Sequence, residues 1–240
     1  VFDKAGAWII TLRSSPPMID DDKRIAAEAA VEEVRAGMIV GLGTGSTAAY
    51  AIRRIGDKVA AGLSIRCVPT SIRTAALARR FGIPLADPAR VADIDLTIDG
   101  ADEIDTQLRA IKGAGGAMLR EKIVAAASRR MVVVADGSKR VSAIGRAVIP
   151  VEILPFGHAS ILAALSAIGA RPMLRMNKGK PFRTDQNNLI ADCAFGALSD
   201  PAATAAVLSK IPGALGHGLF LDQVDAAYVV ADGRVTKMER

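Results

Sequence analysis

The heptapeptide Gly41-Leu42-Gly43-Thr44-Gly45-Ser46-Thr47 joins a short apolar run, Met38-Ile39-Val40, to a segment in which Ala48, Ala51, Ile52 and Ile55 recur at helical spacing. A strand that feeds a helix through a glycine-rich turn is half of a βαβ unit. Such a unit satisfies its backbone only inside a parallel or mixed sheet covered by helices. The rhythm continues along the chain. A strand is predicted at 64–69, a helix at 72–81 and a strand on the alternating Ile94, Leu96 and Ile98, followed by a glycine-rich loop at 113–116, a helix at 118–130 and an apolar strand at 131–135. This order predicts a Rossmann-like, doubly wound α/β core with a mainly parallel sheet.

Ahead of the core, Asp20-Asp21-Asp22 are placed to cap a helix expected over 23–35 and ended by Gly37. From Pro150 the order changes to strand, helix (159–168), two strands (171–176 and 189–193), helix (201–211) and a final strand. A βαββαβ order predicts a smaller, ferredoxin-like domain. The segment 226–235, with its Asp232-Gly233 turn, is expected to rejoin the core as a hairpin. The chain is therefore divided into an N-terminal extension (1–20), a discontinuous large domain (21–148 and 219–240) and a small α/β domain (149–218). Within the extension, Trp8 to Ile10 form a short apolar stretch without a signal-peptide core, and the regular pattern begins at Met18. Residues 1–17 are accordingly expected to be a tail or the product of an upstream start, dispensable for function.

The net charge of +6 and pI near 9.6 favour an acidic partner, whether a phosphorylated metabolite, nucleic acid or an anionic surface. The basic residues are dispersed, with pairs such as Arg53-Arg54 and Arg129-Arg130, and one Trp, two Tyr and six Phe offer few stacking platforms, which argues against nucleic acid. No apolar run approaches the roughly 20 residues that span a bilayer, so no membrane partner is expected. Cys67 and Cys193 lie far apart in apolar segments, which suits a reducing compartment and a cytoplasmic location better than a disulfide framework.

Three segments can carry chemistry. In the first, Gly41 to Thr47, bare amides and the dipole of the following helix can face an anion, with Thr44, Ser46 and Thr47 adding hydroxyl donors. A nucleotide P-loop needs lysine after its last glycine, where Ser46-Thr47 stand. A dinucleotide fingerprint needs glycine at position 46 and an acidic residue after the next strand, where Pro69-Thr70 stand. A plain glycine-rich connection and a phosphate site both remain open.

The second segment, Asp99-Gly100-Ala101-Asp102-Glu103-Ile104-Asp105, crowds carboxylates directly after a strand, and like charges so close resist joint burial. Its spacing lacks the order of an EF-hand loop, and contact of the cluster with substrate is expected rather than a solvated acidic turn. The third runs from Lys112-Gly113-Ala114-Gly115-Gly116-Ala117 into a helix with Arg120-Glu121-Lys122, offering a cation for an oxyanion and a carboxylate for general base work. Lys139, in Asp136-Gly137-Ser138-Lys139, adds a cation at the same sheet edge. His158 and His217 are isolated and neither metal-ligand spacing nor a Gly-x-Ser-x-Gly elbow is present.

In order and spacing, Gly-Leu-Gly-Thr-Gly-Ser-Thr (41–47), Asp-Gly-Ala-Asp-Glu (99–103), Lys-Gly-Ala-Gly-Gly-Ala (112–117) and Arg-Glu-Lys (120–122) closely resemble ribose-5-phosphate isomerase of type A. The resemblance extends through Ala135 to Lys139, Pro150-Val151-Glu152, Thr184-Asp185 and Ile211-Pro212-Gly213, from about Asp22 to the C-terminus. It implies interconversion of ribose 5-phosphate and ribulose 5-phosphate without metal or other cofactor, by a homo-oligomer, a dimer or a tetramer. It further implies that Glu121 moves the proton between C1 and C2 while Asp99, Asp102 and Lys112 handle the sugar oxygens. The phosphate would be held by Lys23, Gly45, Ser46 and Thr47, with Thr44, Gly100, Ala101, Gly113, Ala114, Gly115 and Lys139 also binding the substrate. Two departures stand out: Ala114 where many relatives have glycine, and Gln186-Asn187-Asn188 where an Asn-Gly-Asn turn is common. The second is expected to affect a hairpin of the small domain rather than catalysis. Without the resemblance, an enzyme acting on another sugar phosphate, a non-catalytic sugar-phosphate sensor and a methyltransferase would be the competing readings.

Overall fold

A computed structural model describes residues 19–240, so the expectation for the tail at 1–17 lies outside the described residues. In chain order the elements are α1 (Ile19–Val31), β1 (Ile39–Leu42), α2 (Ser46–Ala60), β2 (Arg66–Pro69), α3 (Ile72–Arg80), β3 (Leu96–Gly100), β4 (Glu103–Ile104), β5 (Ala110–Ile111), α4 (Met118–Ala126) and β6 (Met131–Asp136). There follow β7 (Ile149–Ile153), α5 (His158–Ala167), β8 (Arg171–Leu174), β9 (Met176–Asn177), β10 (Lys180–Pro181), β11 (Leu189–Ala194), α6 (Pro201–Leu208), β12 (Ala214–His217), β13 (Leu219–Phe220), β14 (Ala226–Ala231) and β15 (Arg234–Glu239).

The central sheet has the order β15-β14-β6-β3-β1-β2, in which only the β14–β15 pair is antiparallel. Its middle strand explains why the run Met131 to Ala135 is apolar without alternation. Val132 and Val134 join the core formed with α1 and α2, whereas Met131, Val133 and Ala135 join the core formed with α4 and β13 on the opposite face. Burying each of these valine and methionine side chains contributes about 1.5–3 kcal/mol. The β14–β15 turn falls at Asp232 and Gly233, with φ of 52° and 73°, the left-handed pair that a two-residue type I′ hairpin requires.

A second, four-stranded antiparallel sheet takes all its strands from Ile149–His217 in the order β12-β7-β11-β8. Numbered within that segment the order is 4-1-3-2, the ferredoxin-like arrangement of a βαββαβ chain. Its core, including Val151, Ile153, Leu165 and Cys193, is separate from the two faces of the large sheet. A small sheet, β13-β5-β4, links the segments before and after it.

Several boundaries differ from expectation. Helix α1 begins at Ile19, not at 23, so Asp20, Asp21 and Asp22 lie inside its first turn and complement the helix dipole rather than capping from outside. Asp22 is buried, and its Oδ1 accepts the Gly233 N–H at 3.0 Å, tying α1 to the C-terminal hairpin. Helix α4 ends at Ala126 instead of 130, because Ile94 and Ser128 form a β-bridge there. The strand expected at 171–176 ends at Leu174, and the hairpin β9–β10 follows. The expected left-handed tolerance of the 186–188 turn is used at Asn187, whose φ is 63°.

Candidate active site

Strand β1 has β2 on one side and β3 on the other, so the sheet order reverses there and a crevice opens beyond the carboxyl ends of β1 and β3. A cavity of about 470 Å³ occupies this position. Its wall includes Thr44, Gly45, Ser46 and Thr47 after β1, Gly100, Ala101 and Asp102 after β3, and Lys112, Gly113, Ala114, Gly115 and Glu121 around the start of α4. Lys23 and Lys139 also line it. Of the catalytic and substrate-binding residues that the resemblance implies, only Asp99 does not line the cavity directly; it is fully buried just beneath it.

Helix α2 starts at this cavity with a conformation that exposes its amides. Gly45 sits at φ 145° as the residue before the helix, and no side chain caps the end. The first amide to bond back is that of Ala49, 3.0 Å from the Gly45 carbonyl, which leaves the amides of Ser46, Thr47 and Ala48 at the positive end of the helix dipole. An anion fits that end. The expected hydroxyl donor at Thr44 needs correction. Its Oγ1 lies 2.8 Å from Thr70 Oγ1 and 2.9 Å from both Ser71 Oγ and Thr74 Oγ1, and its N–H donates to Asp99 Oδ1 at 3.0 Å. Thr44 therefore ties the loop to β3 and α3 instead of offering its hydroxyl to a ligand.

On the other side of the cavity the Lys112 ammonium lies 2.8 Å from Asp99 Oδ2 and 3.2 Å from Glu121 Oε2. All three side chains are at most 2% exposed. Neither oxygen is aligned for a straight hydrogen bond, so each retains room for another donor. One ammonium cannot neutralise two carboxylates in such a place. Burial pushes the Glu121 carboxyl up to about 8, against the pull of Lys112 and with the help of Asp99. Asp99 is likewise raised by burial, although Lys112 and the amides of Gly100 and Thr44 oppose the shift. Burial favours neutral Lys112, but Asp99 and Glu121 outweigh it and keep the amine charged. The result is a buried cation fixed beside a carboxyl that can take up or release a proton near neutral pH.

The acidic cluster after β3 divides in two. Asp102 faces the cavity, where its Oδ2 accepts the Ala114 N–H at 2.9 Å. Glu103 instead accepts the amides of Gly145 at 2.7 Å and Ala147 at 2.6 Å, and Asp105 accepts those of Gln107 and Arg109 and pairs with the Arg109 guanidinium at 2.7 Å. Both are buried structural acceptors, which corrects the expectation of substrate contact for the cluster as a whole. Arg73 lines the cavity and was not legible as a site residue, although it stands in the first turn of the helix that follows β2, at the same sheet edge. Asp136 and Ser138 also line it, with the Asp136 carboxylate accepting the Ser138 N–H at 3.0 Å. Among the described residues, no cluster of His, Cys, Asp or Glu is arranged to hold a metal ion, and no helix is long and apolar enough to cross a membrane.

Comparison with known proteins gives one answer. The family described as ribose 5-phosphate isomerase A (phosphoriboisomerase A) matches residues 66–233. The chain is 49% identical over 219 residues to ribose-5-phosphate isomerase A of Sphingopyxis alaskensis, covering 91% of this chain and 96% of that protein. It is 50% identical over 226 residues to the protein of the same name from Caulobacter vibrioides, covering 92% and 98%. Among solved structures, ribose 5-phosphate isomerase from Plasmodium falciparum superposes with a TM-score of 0.89 at 38% identity, covering 92% of this chain and 99% of that one. With near-complete coverage, the three motif loops at one sheet edge and this degree of likeness, the chain belongs to the ribose 5-phosphate isomerase A family.

Proposed function

We propose that this protein interconverts ribose 5-phosphate and ribulose 5-phosphate, the aldose–ketose isomerisation of the non-oxidative pentose phosphate pathway. The observation that carries the proposal is the buried arrangement of Glu121 and Asp99 around the Lys112 ammonium, facing across one cavity the open amino end of α2. In the open-chain aldose, ionised Glu121 removes the C2 proton, and the electron pair moves toward the carbonyl oxygen to give a cis-enediolate. Lys112 meets the charge that grows on oxygen, the requirement that makes an α proton removable at neutral pH. Glu121 then returns the proton to C1 while a proton passes between the two oxygens, giving the ketose.

Asp99 and Asp102 bind the sugar hydroxyls and assist ring opening. Lys23, the amides of Gly45, Ser46 and Thr47, and Lys139 hold the phosphate. Gly100, Ala101, Gly113, Ala114 and Gly115 bring backbone close to the sugar. The two separate cores and sheets support a division into a large catalytic domain (21–148 and 219–240) and a small domain (149–218). The working form is a homodimer or tetramer in the cytoplasm.

Incubation with ribose 5-phosphate in D₂O tests the reading. Ribulose 5-phosphate should form, with deuterium entering C1 of the ketose and, on reversal, C2 of the aldose. Folded protein that makes no ketose refutes the activity. Glu121→Gln should lose at least ~10²-fold in kcat, and normal turnover in that variant refutes the role of the base.

A further inference from the structure

The loop that carries Lys112 and leads to α4 is gripped from the four-stranded sheet by a residue outside every motif noted above. Arg175, just after β8, is paired with Asp192 of β11 through two parallel bonds: Nε to Oδ2 at 2.8 Å and Nη2 to Oδ1 at 2.5 Å. That pairing fixes the guanidinium plane. The remaining terminal nitrogen, Nη1, donates to the carbonyl oxygens of Gly113 at 3.0 Å and Ala114 at 3.1 Å. Phe182 stacks near the guanidinium with its ring centre 5.9 Å away, and its ring edge packs so closely on Gly116 that a Cβ there would lie 2.6 Å from it.

The Gly113 carbonyl and the Ala114 N–H belong to one peptide unit, which is planar and trans, so its oxygen and its hydrogen point opposite ways. Arg175 holds the oxygen. Asp102 Oδ2 takes the hydrogen, at 2.9 Å from the Ala114 nitrogen. A fixed guanidinium on one side of the peptide therefore sets the direction of the bond that aims Asp102 on the other side. A cation on the carbonyl also polarises the amide and strengthens its donation. The same hold on the Ala114 carbonyl orients the next peptide, whose Gly115 lines the cavity.

We propose that Arg175, anchored by Asp192, is a positioning residue for the isomerisation: it sets Asp102 and the Lys112 to Gly115 loop through the Gly113–Ala114 peptide. This rests on the proposed function of the site. It assigns to the second sheet a direct part in catalytic geometry, although neither Arg175 nor Asp192 lines the cavity.

The test compares wild type with Arg175→Ala, Arg175→Lys and Asp192→Asn, measuring kcat, KM for ribose 5-phosphate and thermal melting. Arg175→Ala should lower kcat by ~10- to 100-fold, the range expected when reacting groups are displaced by about 1 Å. KM should rise by a smaller factor than kcat falls, because the amino end of α2 that takes the phosphate does not touch Arg175. Added ethylguanidinium should restore part of kcat, and Arg175→Lys, which keeps charge without the fork, should show the same kcat-selective loss to a smaller degree. Asp192→Asn should lie between Lys and wild type. Wild-type kcat in Arg175→Ala overturns the proposal, as does a loss spread equally over kcat and KM that ethylguanidinium does not relieve. Where Arg175→Ala does not fold, wild-type kcat in Arg175→Lys overturns it. An inactive wild-type protein would fail the function of the whole site, a result distinguishable from active wild type with an indifferent Arg175.

Discussion

Gly43 offers the sharpest perturbation of the site, because one methyl group there reaches the carboxylate that faces Lys112. Its backbone is outside the left-handed region, so alanine can adopt the local conformation and the effect isolates the side chain. A Cβ at Gly43 would lie 2.0 Å from Asp99 Oδ1, 2.3 Å from its Cγ and 2.6 Å from its Cα, where real contacts essentially stop at 3.0 Å. The carboxylate must retreat by about 1 Å. Rotating the Asp99 side chain cannot relieve the clash, because the Cα is also too close and belongs to β3, which is paired with β1 through Leu42 and Ile98. The shift also pulls Oδ1 away from the amides of Thr44 and Gly100, now 3.0 and 2.7 Å away, and Oδ2 from Lys112.

Overpacking of this kind costs about 1–3 kcal/mol of stability. For a chain of this size that lowers Tm by about 2–4 °C for each kcal/mol. A misplacement of about 1 Å in the reacting groups lowers turnover ~10²-fold. Thermal melting and a ribose 5-phosphate turnover assay on Gly43→Ala measure the two effects separately. A folded Gly43→Ala protein with near-wild-type kcat would show that Asp99 needs no fixed position beside Lys112, and the reasoning about the site would fail.

Three further outcomes follow from the geometry of the site. Since burial holds the Glu121 pKa near 8 and proton removal needs the carboxylate, kcat/KM should rise with pH and level off above that value, and a flat profile through this range would contradict the assignment. The folded pKa lies above the ordinary 4.5, so the stabilisation tied to the protonated form is fully present below about 4.5 and lost as pH rises through about 8. Glu121→Gln should therefore gain Tm relative to wild type as pH is raised across that window; parallel melting curves would contradict it. Lys23→Ala removes a side chain 17% exposed at the cavity mouth and should raise KM for ribose 5-phosphate by about 10-fold with little change in kcat, a pattern reversed if Lys23 served the chemical step.

Much of the fold was legible because the largest elements report their surroundings locally. The unbroken apolar run of β6 reads as a strand covered on both faces, and Asp232-Gly233 reads as a tight hairpin turn. The three glycine and acidic loops also read as neighbours, since each follows or precedes an element at the same sheet edge. The two-residue strands β4, β5 and β13 were not legible, because no hydrophobic period can be seen in two residues. Nor was the division between Asp102 and Glu103. Consecutive residues in extended chain face opposite ways, so one of the pair turns to the cavity and the other to the interior, but sequence does not say which face is which. Arg175 is hidden for another reason: its partners Gly113 and Ala114 are 62 and 61 residues away, and only the packing of one sheet against the loop brings them together.

The bond from the Gly233 amide to Asp22 spans 211 residues and joins the helix bearing Lys23 to the last hairpin of the chain. Its closure cannot precede synthesis of that hairpin, although the packing of α1 on α2 and β6 is available earlier in the chain. The phosphate end of the cavity is thus assembled from both extremes of the described chain, while the acid–base end lies within the stretch from Asp99 to Glu121. Both halves nevertheless wait on late segments of a growing chain: the Lys112 to Gly115 loop on Arg175 and on the Gly218 carbonyl that accepts the Lys112 N–H, and the clamp on α1 on the Gly233 turn.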